Sequence, residues 1–363
     1  MRVPRFKIKI LIISILPIML LLKELLHLNP IATESLYSRL LYPPIGKLLS
    51  TLTGVFPFSV AELLVYLVVA AILVVLIRMV YATIKSNNRL NTALNHLING
   101  LCVLSIGYCL FLLLWGFNYY RQPLAVSLGY NVEKSTIADL KNLCSSLIEK
   151  TNLLRSKTLE DSTGVMYLES FRDAAARSNI GYNNLSQTYP FLGGTFGQPK
   201  RVALSYQFSY TGIAGIYFPY TGEANINKLV PSPMLPSTIC HEMAHQRGFA
   251  REDEANFIAY LTCKAHDHAD FQYSGYLLAT IYSMNALYKY DPDSYRELTL
   301  KYSDDVKRDL RYNSDFWKQF EGPVEELQER VNDTYLKSNK QADGIYSYGR
   351  MVDLLLAEYK KGF

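Results

Sequence analysis

The hydrophobic and polar positions divide the chain into a strongly apolar first third and an amphipathic remainder. Three apolar stretches near the N-terminus, over about residues 8–28, 56–78 and 97–118, each predict a helix that crosses a membrane. The first stretch is short, because Lys23 and Glu24 interrupt it, and a cleaved signal peptide is the alternative interpretation. No small-residue cleavage pattern follows closely and two further apolar stretches come after it, so we expect an uncleaved helix.

Beyond this apolar third, the pattern is that of a mixed but mainly helical domain. Apolar residues recur at spacings of three and four over residues 131–156, and the pattern is again helical from residue 276 onward. Asn, Gly and Gln are frequent in residues 177–198, which predicts a loop. Alternating apolar positions in residues 202–218 predict one or two strands, with 213–217 as the candidate edge that holds a peptide backbone. The predicted fold class is mainly α, as three transmembrane helices followed by an α+β domain with a small sheet.

The stretch from His241 to His245, HEMAH in one-letter code, carries the clearest chemical signal in the chain. On a helix, residues four apart share a face, so the two histidines can bind one Zn²⁺ ion. Glu242 then lies beside the open position of the metal, as in zinc-dependent peptide hydrolases. The motif therefore predicts a zinc site in which Glu242 is the catalytic base.

A catalytic zinc site needs a third protein ligand, and the acidic residues after Gly248 are the nearest source. Gly248 can end the motif helix in a left-handed conformation, after which the pattern begins a second helix. Glu252 and Asn256 lie four residues apart and share a face of that helix. We therefore predict Glu252 as the third ligand and Asn256 as the partner that orients a ligand. Glu254 points about 200° away from Glu252 and is the alternative ligand.

The longer passage around the motif resembles a family of bacterial membrane proteins of unknown function. The resemblance rests on PYTGEAN at residues 219–225, LPST at 235–238 and CHEMAHQRGFAREDEAN at 240–256, and it extends over nearly the whole chain. Members of that family join an N-terminal membrane region to a presumed zinc-peptidase domain. The resemblance implies a zincin-like domain with the HExxH motif on its active-site helix. We accordingly divide the chain into a membrane region, 1–120, and a metallopeptidase domain, 121–363.

The net charge of +5 could suggest a nucleic-acid partner, but its distribution excludes that class. Residues 1–117 hold ten Lys and Arg and three Glu, so they carry +7 and the rest of the chain carries −2. Basic residues are more frequent before the first apolar stretch, and between the second and third stretches, than between the first and second stretches. The positive-inside rule then predicts a multi-pass protein of a bacterial plasma membrane whose chain from residue 121 onward is extracytoplasmic. The aromatic residues between Trp115 and Tyr120 suit the outer membrane interface.

These features together predict a membrane-anchored zinc-dependent peptide hydrolase. His241, His245 and Glu252 would hold Zn²⁺, and a metal-activated water would attack a peptide carbonyl with Glu242 as general base. The expected partners are the lipid bilayer and a peptide or protein substrate, for instance one of the cell envelope. The alternative is a membrane-bound sensor or binding protein on a zincin-like scaffold, with little or no turnover.

Overall fold

The computed structural model describes residues 5–338 and 350–362, and these residues are mainly helical with one small sheet. The first part contains α1 (Arg5–Leu28), α2 (Pro30–Ala32), a π-helix (Thr33–Leu41), α3 (Tyr42–Gly54), α4 (Val60–Lys85), α5 (Arg89–Leu114) and a 3₁₀ helix (Gly116–Tyr120). The middle part contains α6 (Leu124–Leu128), α7 (Ile137–Arg155), α8 (Phe171–Arg177), α9 (Asn179–Ser186), a second 3₁₀ helix (Pro190–Leu192), β1 (Lys200–Arg201), α10 (Ser205–Tyr210), β2 (Gly215–Phe218) and β3 (Glu223–Ile226). The last part contains α11 (Leu235–Gln246), α12 (Glu252–Lys264), α13 (Ala269–Tyr290), α14 (Pro292–Thr299), α15 (Asp304–Lys318), α16 (Pro323–Ser338) and α17 (Met351–Lys360).

Among the described helices, α4 and α5 are long and apolar enough to cross a membrane. The sequence prediction of three such helices is therefore wrong for its first member, although residues 5–28 do form the continuous helix α1. The apolar run of α1 ends at Lys23 and Glu24, which leaves it short of the roughly 20 residues that span a bilayer. α1 packs along α5, where the Ser105 hydroxyl donates to the Ile12 carbonyl at 3.2 Å.

The connection between α1 and α4 is folded and packs against the second half of the chain. In the π-helix, the buried Glu34 carboxylate accepts hydrogen bonds from Nε and Nη2 of Arg121 at 2.8 and 2.7 Å. The first N–H groups of α4, from Val60 and Ala61, donate to the Glu223 carboxylate at 3.1 and 2.6 Å, where an acid complements the helix dipole. The division of the chain at residue 121 stays a prediction, and residues on both sides of it pack together.

The sheet has three strands in the order β1-β3-β2, with β1 parallel and β2 antiparallel to β3. β2 is an edge strand and includes most of the predicted edge at 213–217. The predicted strand over residues 202–208 is wrong, because α10 begins at Ser205. α10 buries the small residues Ser205 and Ser209, one helical turn apart, and leaves Tyr206 exposed. Hydrogen bonds to these serine hydroxyls, from Lys228 N–H and Asn227 Nδ2, at 3.0 Å each, hold α10 beside β3.

The predicted loop over residues 177–198 is also partly wrong, because it contains α9. A side chain at Gly181 would collide with the carbonyl of Thr262 in α12, so glycine allows the two helices to approach closely. Gly181, one of the residues that predict a loop here, instead serves helix packing.

Three helices, α11, α12 and α13, pack together at the centre, and α7 packs on α13. α7 confirms the helix predicted over residues 131–156 and begins with reciprocal Thr136 and Asp139 hydrogen bonds. Ile239 of α11, Phe257 of α12 and Leu277 of α13 are completely buried in one core. This core fixes α11 and α12 relative to each other, and with them the side chains of the predicted metal site.

Candidate metal centre

The HEMAH stretch lies in the second half of α11, and burial of one face determines where its polar side chains point. Ile239, Met243 and Ala244 are fully buried in the core. His241 and His245 share the other face, one turn apart, with rings 4.7 Å apart between centroids. The motif therefore faces a cleft between α11, α12 and β2.

The turn that ends α11 also orients one of the histidines. The Gly248 N–H donates to the His245 carbonyl at 2.9 Å, and the Phe249 N–H donates to the Ala244 carbonyl at 3.2 Å, which is the Schellman pattern. Gly248 has φ +86, as predicted from the sequence, and a Cβ there would lie 2.8 Å from the ring of Tyr42. The turn brings the Phe249 carbonyl within 2.6 Å of Nδ1 of His245.

Both histidines are held so that their Nε2 atoms meet. Nδ1 of His241 lies 2.9 Å from Oδ1 of Asn256, in the position that the sequence predicts for Asn256. Because a carbonyl oxygen only accepts, each Nδ1 donates, so Nε2 carries the lone pair whenever the imidazole is neutral. The two Nε2 atoms lie 3.0 Å apart.

The Glu252 carboxylate completes a triangle with the two imidazoles. Its oxygens lie 3.1 Å from Nε2 of His241 and 3.6 Å from Nε2 of His245. Ligands at 2.0–2.2 Å around a tetrahedral ion are about 3.4 Å apart, so these separations match the donor set of a zinc-sized ion. Candidate ligand atoms from all three residues lie within 4.8 Å of one another.

The charges of this triangle depend strongly on one another. Burial lowers the pKa of His245, but the Glu252 carboxylate outweighs burial and raises it to about 9. Burial also acts to raise the pKa of Glu252, and the neighbouring histidines reverse this and hold it far below its usual range. A carboxylate paired with imidazoles in this way can exchange the imidazole proton for a divalent cation.

Glu242 lies beside the triangle and is buried without a hydrogen-bond partner at Oε2 among the described residues. Burial raises its pKa, and the charges of His241 and His245 offset this effect only in part. The backbone N–H of Tyr217 in β2 also bonds to this carboxylate and acts to lower its pKa. Here the carboxylate is positioned to exchange a proton with a molecule in the cleft.

Glu254, the alternative ligand, lies away from the histidines. Its Oε1 accepts from the Leu124 N–H at 2.7 Å and from Arg251 Nη1 at 2.9 Å. The structure thus brings together His241, His245, Glu252 and Asn256 and leaves Glu254 in a separate contact. Which residues bind a metal in solution stays a prediction.

Sequence reasoning missed the residues of the first 120 positions that support the site. The Tyr42 hydroxyl lies 3.0 Å from the Gln246 carbonyl and 3.0 Å from the Tyr217 hydroxyl. Trp115 packs edge to face on His245, with 5.8 Å between ring centroids. Trp115 and the aromatic residues up to Tyr120 are buried in protein and do not face lipid, and their predicted place at the depth of the outer membrane interface stays a prediction. These contacts are long-range, and the local sequence gives no signal for them.

The site opens into a cleft of about 940 Å³. Its walls include Phe111 and Trp115 from the end of α5, the edge strand β2, Tyr282 of α13 and Glu325 of α16. β2 approaches Glu242 so closely that a Cβ at Gly215 would lie 2.6 Å from the Glu242 carboxylate. The cleft is large enough for a short extended peptide.

Over residues 37–356, the chain matches the family model described as "Protein of unknown function (DUF3810)". The chain belongs to this family. The DUF3810 match begins in the π-helix and includes Tyr42 and Trp115 as well as the triangle of His241, His245 and Glu252. No curated protein and no solved structure matches the chain. Tyr42, Trp115 and the candidate metal centre therefore belong to the same family segment.

Proposed function

We propose that this protein is a membrane-anchored, zinc-dependent peptide hydrolase with a zincin-like domain around α11. The observation that supports this most strongly is the convergence of His241, His245 and Glu252 beside the buried carboxylate of Glu242, whose Oε2 accepts no hydrogen bond from the described residues. A structural metal site does not need a base next to its ligands. This pairing favours a hydrolase over the alternative of a sensor or binding protein.

In the proposed reaction, each residue of the site has a separate role. Zn²⁺, when bound by the triangle, would polarise the scissile carbonyl and acidify the attacking water. Glu242 takes the proton of that water and returns it to the leaving amine, and its raised pKa suits both directions of transfer. Asn256 and the Phe249 carbonyl keep the two imidazoles in the tautomer that leaves Nε2 free.

Tyr282 is our candidate for stabilising the oxyanion. Its hydroxyl lines the cleft and accepts from Asn256 Nδ2 at 3.2 Å, which leaves its own proton available to donate. Burial and the charge of Glu252 raise the pKa of Tyr282 well above its usual range, so the phenol keeps its proton at neutral pH.

The proposed location is a bacterial plasma membrane, with the site on the extracytoplasmic side. Basic residues support this topology, because they concentrate at the start of α1 and around the α4–α5 connection. Lys9 contacts Cys102 and Ile12 contacts Ser105, so α1 runs parallel to α5 and its start points toward the end that holds that connection. The site is at the opposite end, beside Trp115. A peptide or protein of the cell envelope is then the accessible substrate.

The first test is the metal content of the full chain, purified in detergent because residues before 121 contact the site. We expect about one Zn²⁺ per chain, its loss in His241→Ala and in His245→Ala, and a strong reduction in Glu252→Gln. Glu254→Gln is the matched control and should keep the metal. Zinc retained by both histidine variants would refute the site. Zinc lost in Glu254→Gln and kept in Glu252→Gln would refute the ligand assignment.

The second test is hydrolysis of a randomised fluorogenic peptide library by the same preparation. Glu242→Gln should keep zinc, since Glu242 is not a ligand, and should lose about 10²-fold or more of the activity. Zinc binding by the native chain without any cleavage that depends on Glu242 would support the sensor alternative instead.

A further inference from the structure

The candidate metal centre lies directly against the end of an apolar helix. α5 is one of the two described helices that can cross a membrane, and Trp115 is its C-cap residue. Trp115 packs on His245 and also on Tyr217 of β2, with 4.7 Å between the latter ring centroids. No spacer separates the centre from this helix, in contrast to a catalytic domain on a flexible stalk.

Edge strand β2 connects the centre with the side of α5. Its first residue, Gly215, lies against the Glu242 carboxylate. Just beyond its last residue, Phe218, the Tyr220 hydroxyl donates to the Gly107 carbonyl in α5 at 3.0 Å. Three strand steps cover about 10 Å. A peptide extended along β2 therefore passes from Glu242 to Phe218 within about three of its own residues and runs toward α5, which Tyr220 contacts two residues later.

The outer edge of β2 is open to such a peptide except at the Tyr217 N–H, which bonds to the Glu242 carboxylate. Asn227 N–H donates to the Ala214 carbonyl. This bond determines that every second residue of β2, counted from Ala214, directs its backbone groups toward β3. The backbone groups of Gly215 and Tyr217 consequently face away from β3 and toward the cleft. Next to them, Phe111 of α5 forms an apolar wall of the same cleft. A bound strand would exchange ladder hydrogen bonds at one end and contact an apolar helix at the other.

The negative charge of the cleft favours some of these peptide segments over others. Its described lining contains Glu242, Glu252, Glu325 and Glu329 and no Lys or Arg. Zn²⁺ would balance two of these acids, which leaves an excess of negative charge from α16. The cleft is complementary to a segment that carries Lys or Arg.

We propose that the substrate is a polypeptide segment that directly adjoins its own transmembrane helix, and that cleavage occurs within a few residues of that helix. The inference rests on the proposed hydrolase function and specifies its substrate class. A segment lying on β2 continues along α5, where its apolar helix remains in the same bilayer as the enzyme. A free peptide gains no such contact.

The test compares two tethered libraries in vesicles that contain the full chain. In the first, a short randomised fluorogenic segment is fused directly to a Leu/Ala helix of about 20 residues. In the second, a flexible Gly/Ser linker of about 30 residues separates the same segment from the same helix. Both libraries are anchored in the same vesicles, so the membrane concentrates the two kinds of substrate equally at its surface. We expect direct fusion to be cleaved about tenfold faster or more, because the linker lowers the effective concentration at a site adjacent to the helix.

Equal cleavage of the two libraries, or faster cleavage of the one with the linker, would overturn the inference and leave the hydrolase intact. Absence of Glu242-dependent cleavage in both would refute the hydrolase itself, and with it the inference. Mass spectrometry of the products gives an independent readout, because cuts far from the helix would also contradict the proposal.

Binding can be measured without turnover in the Glu242→Gln chain. A benzophenone side chain at position 216, which is exposed in the cleft, should crosslink the directly fused library and not the library with the linker. Phe111→Ala should lower this preference, because Phe111 lines the cleft. Leu110→Ala is the matched control, since Leu110 is exposed and does not line the cleft. An equal effect of the two alanine variants would show that the α5 wall does not select the substrate.

Discussion

Gly215 in β2 offers a direct test of how the base is positioned. A Cβ at this residue would lie 2.6 Å from Oε1 and 2.7 Å from Cγ of Glu242, whereas ordinary contacts begin at 3.4 Å. In Gly215→Ala, the carboxylate and the strand must therefore separate by about 0.8 Å. A misplacement of about 1 Å in a reacting group can reduce turnover about 10²-fold. We expect a loss of about 30- to 100-fold in kcat for the randomised peptide library.

Zinc content distinguishes this effect from damage to the whole site. Glu242 is not a proposed ligand, so Gly215→Ala should keep its zinc, and overpacking should lower the free energy of unfolding by only about 1–3 kcal/mol. Gly100→Ala is the matched control, because a Cβ at Gly100 meets nothing within 4 Å. Turnover equal to that of the native chain in Gly215→Ala would refute the close placement of Glu242 against β2. Joint loss of zinc and turnover would show that the strand supports the ligands and not the base.

Three further outcomes are expected. Glu34→Gln should destabilise the full chain by about 3–5 kcal/mol in thermal unfolding, because it leaves Arg121 charged and buried; Arg39→Gln removes a half-exposed partner and should cost about 1 kcal/mol or less. An equal loss of stability in the two variants would contradict the prediction that the buried pair contributes more than the exposed one. Tyr282→Phe should reduce kcat about 10²-fold with little change in KM or zinc content, as for loss of an oxyanion donor; a change confined to KM would assign it to substrate binding. A reporter active only outside the cytoplasm should be silent at Asn88 and active at the C-terminus, and the reverse result would place the site in the cytoplasm.

The parts of the site that the sequence predicts are those governed by local geometry. The shared face of His241 and His245 follows from helical spacing, and Glu252 follows because a short glycine turn returns the chain to the same place. The left-handed conformation of Gly248 is required by its own neighbours in sequence. Each of these inferences involves residues fewer than 16 positions apart.

The parts that escaped prediction depend on contacts between distant segments. Tyr42 lies 203 residues before His245, whose carbonyl it contacts, and no periodicity relates them. Alternation over residues 202–208 suggested a strand, but the two buried serine hydroxyls of α10 select a helix beside β3. Tertiary contacts override local propensity in such short segments. The role of Gly215 is likewise visible only when β2 lies against α11.

The contact between Trp115 and His245 has a consequence for how the protein is made. Synthesis proceeds from the N-terminus, so α5 leaves the ribosome well before α11 does. If α5 inserts into a membrane as proposed, the histidine face of α11 docks on a helix end that insertion has already fixed, and Tyr42 is in place to meet the carbonyls that follow. A chain that fails to insert would lack this template. We therefore expect the proposed hydrolytic centre to mature only after delivery to the membrane, which would protect the compartment of synthesis from premature activity.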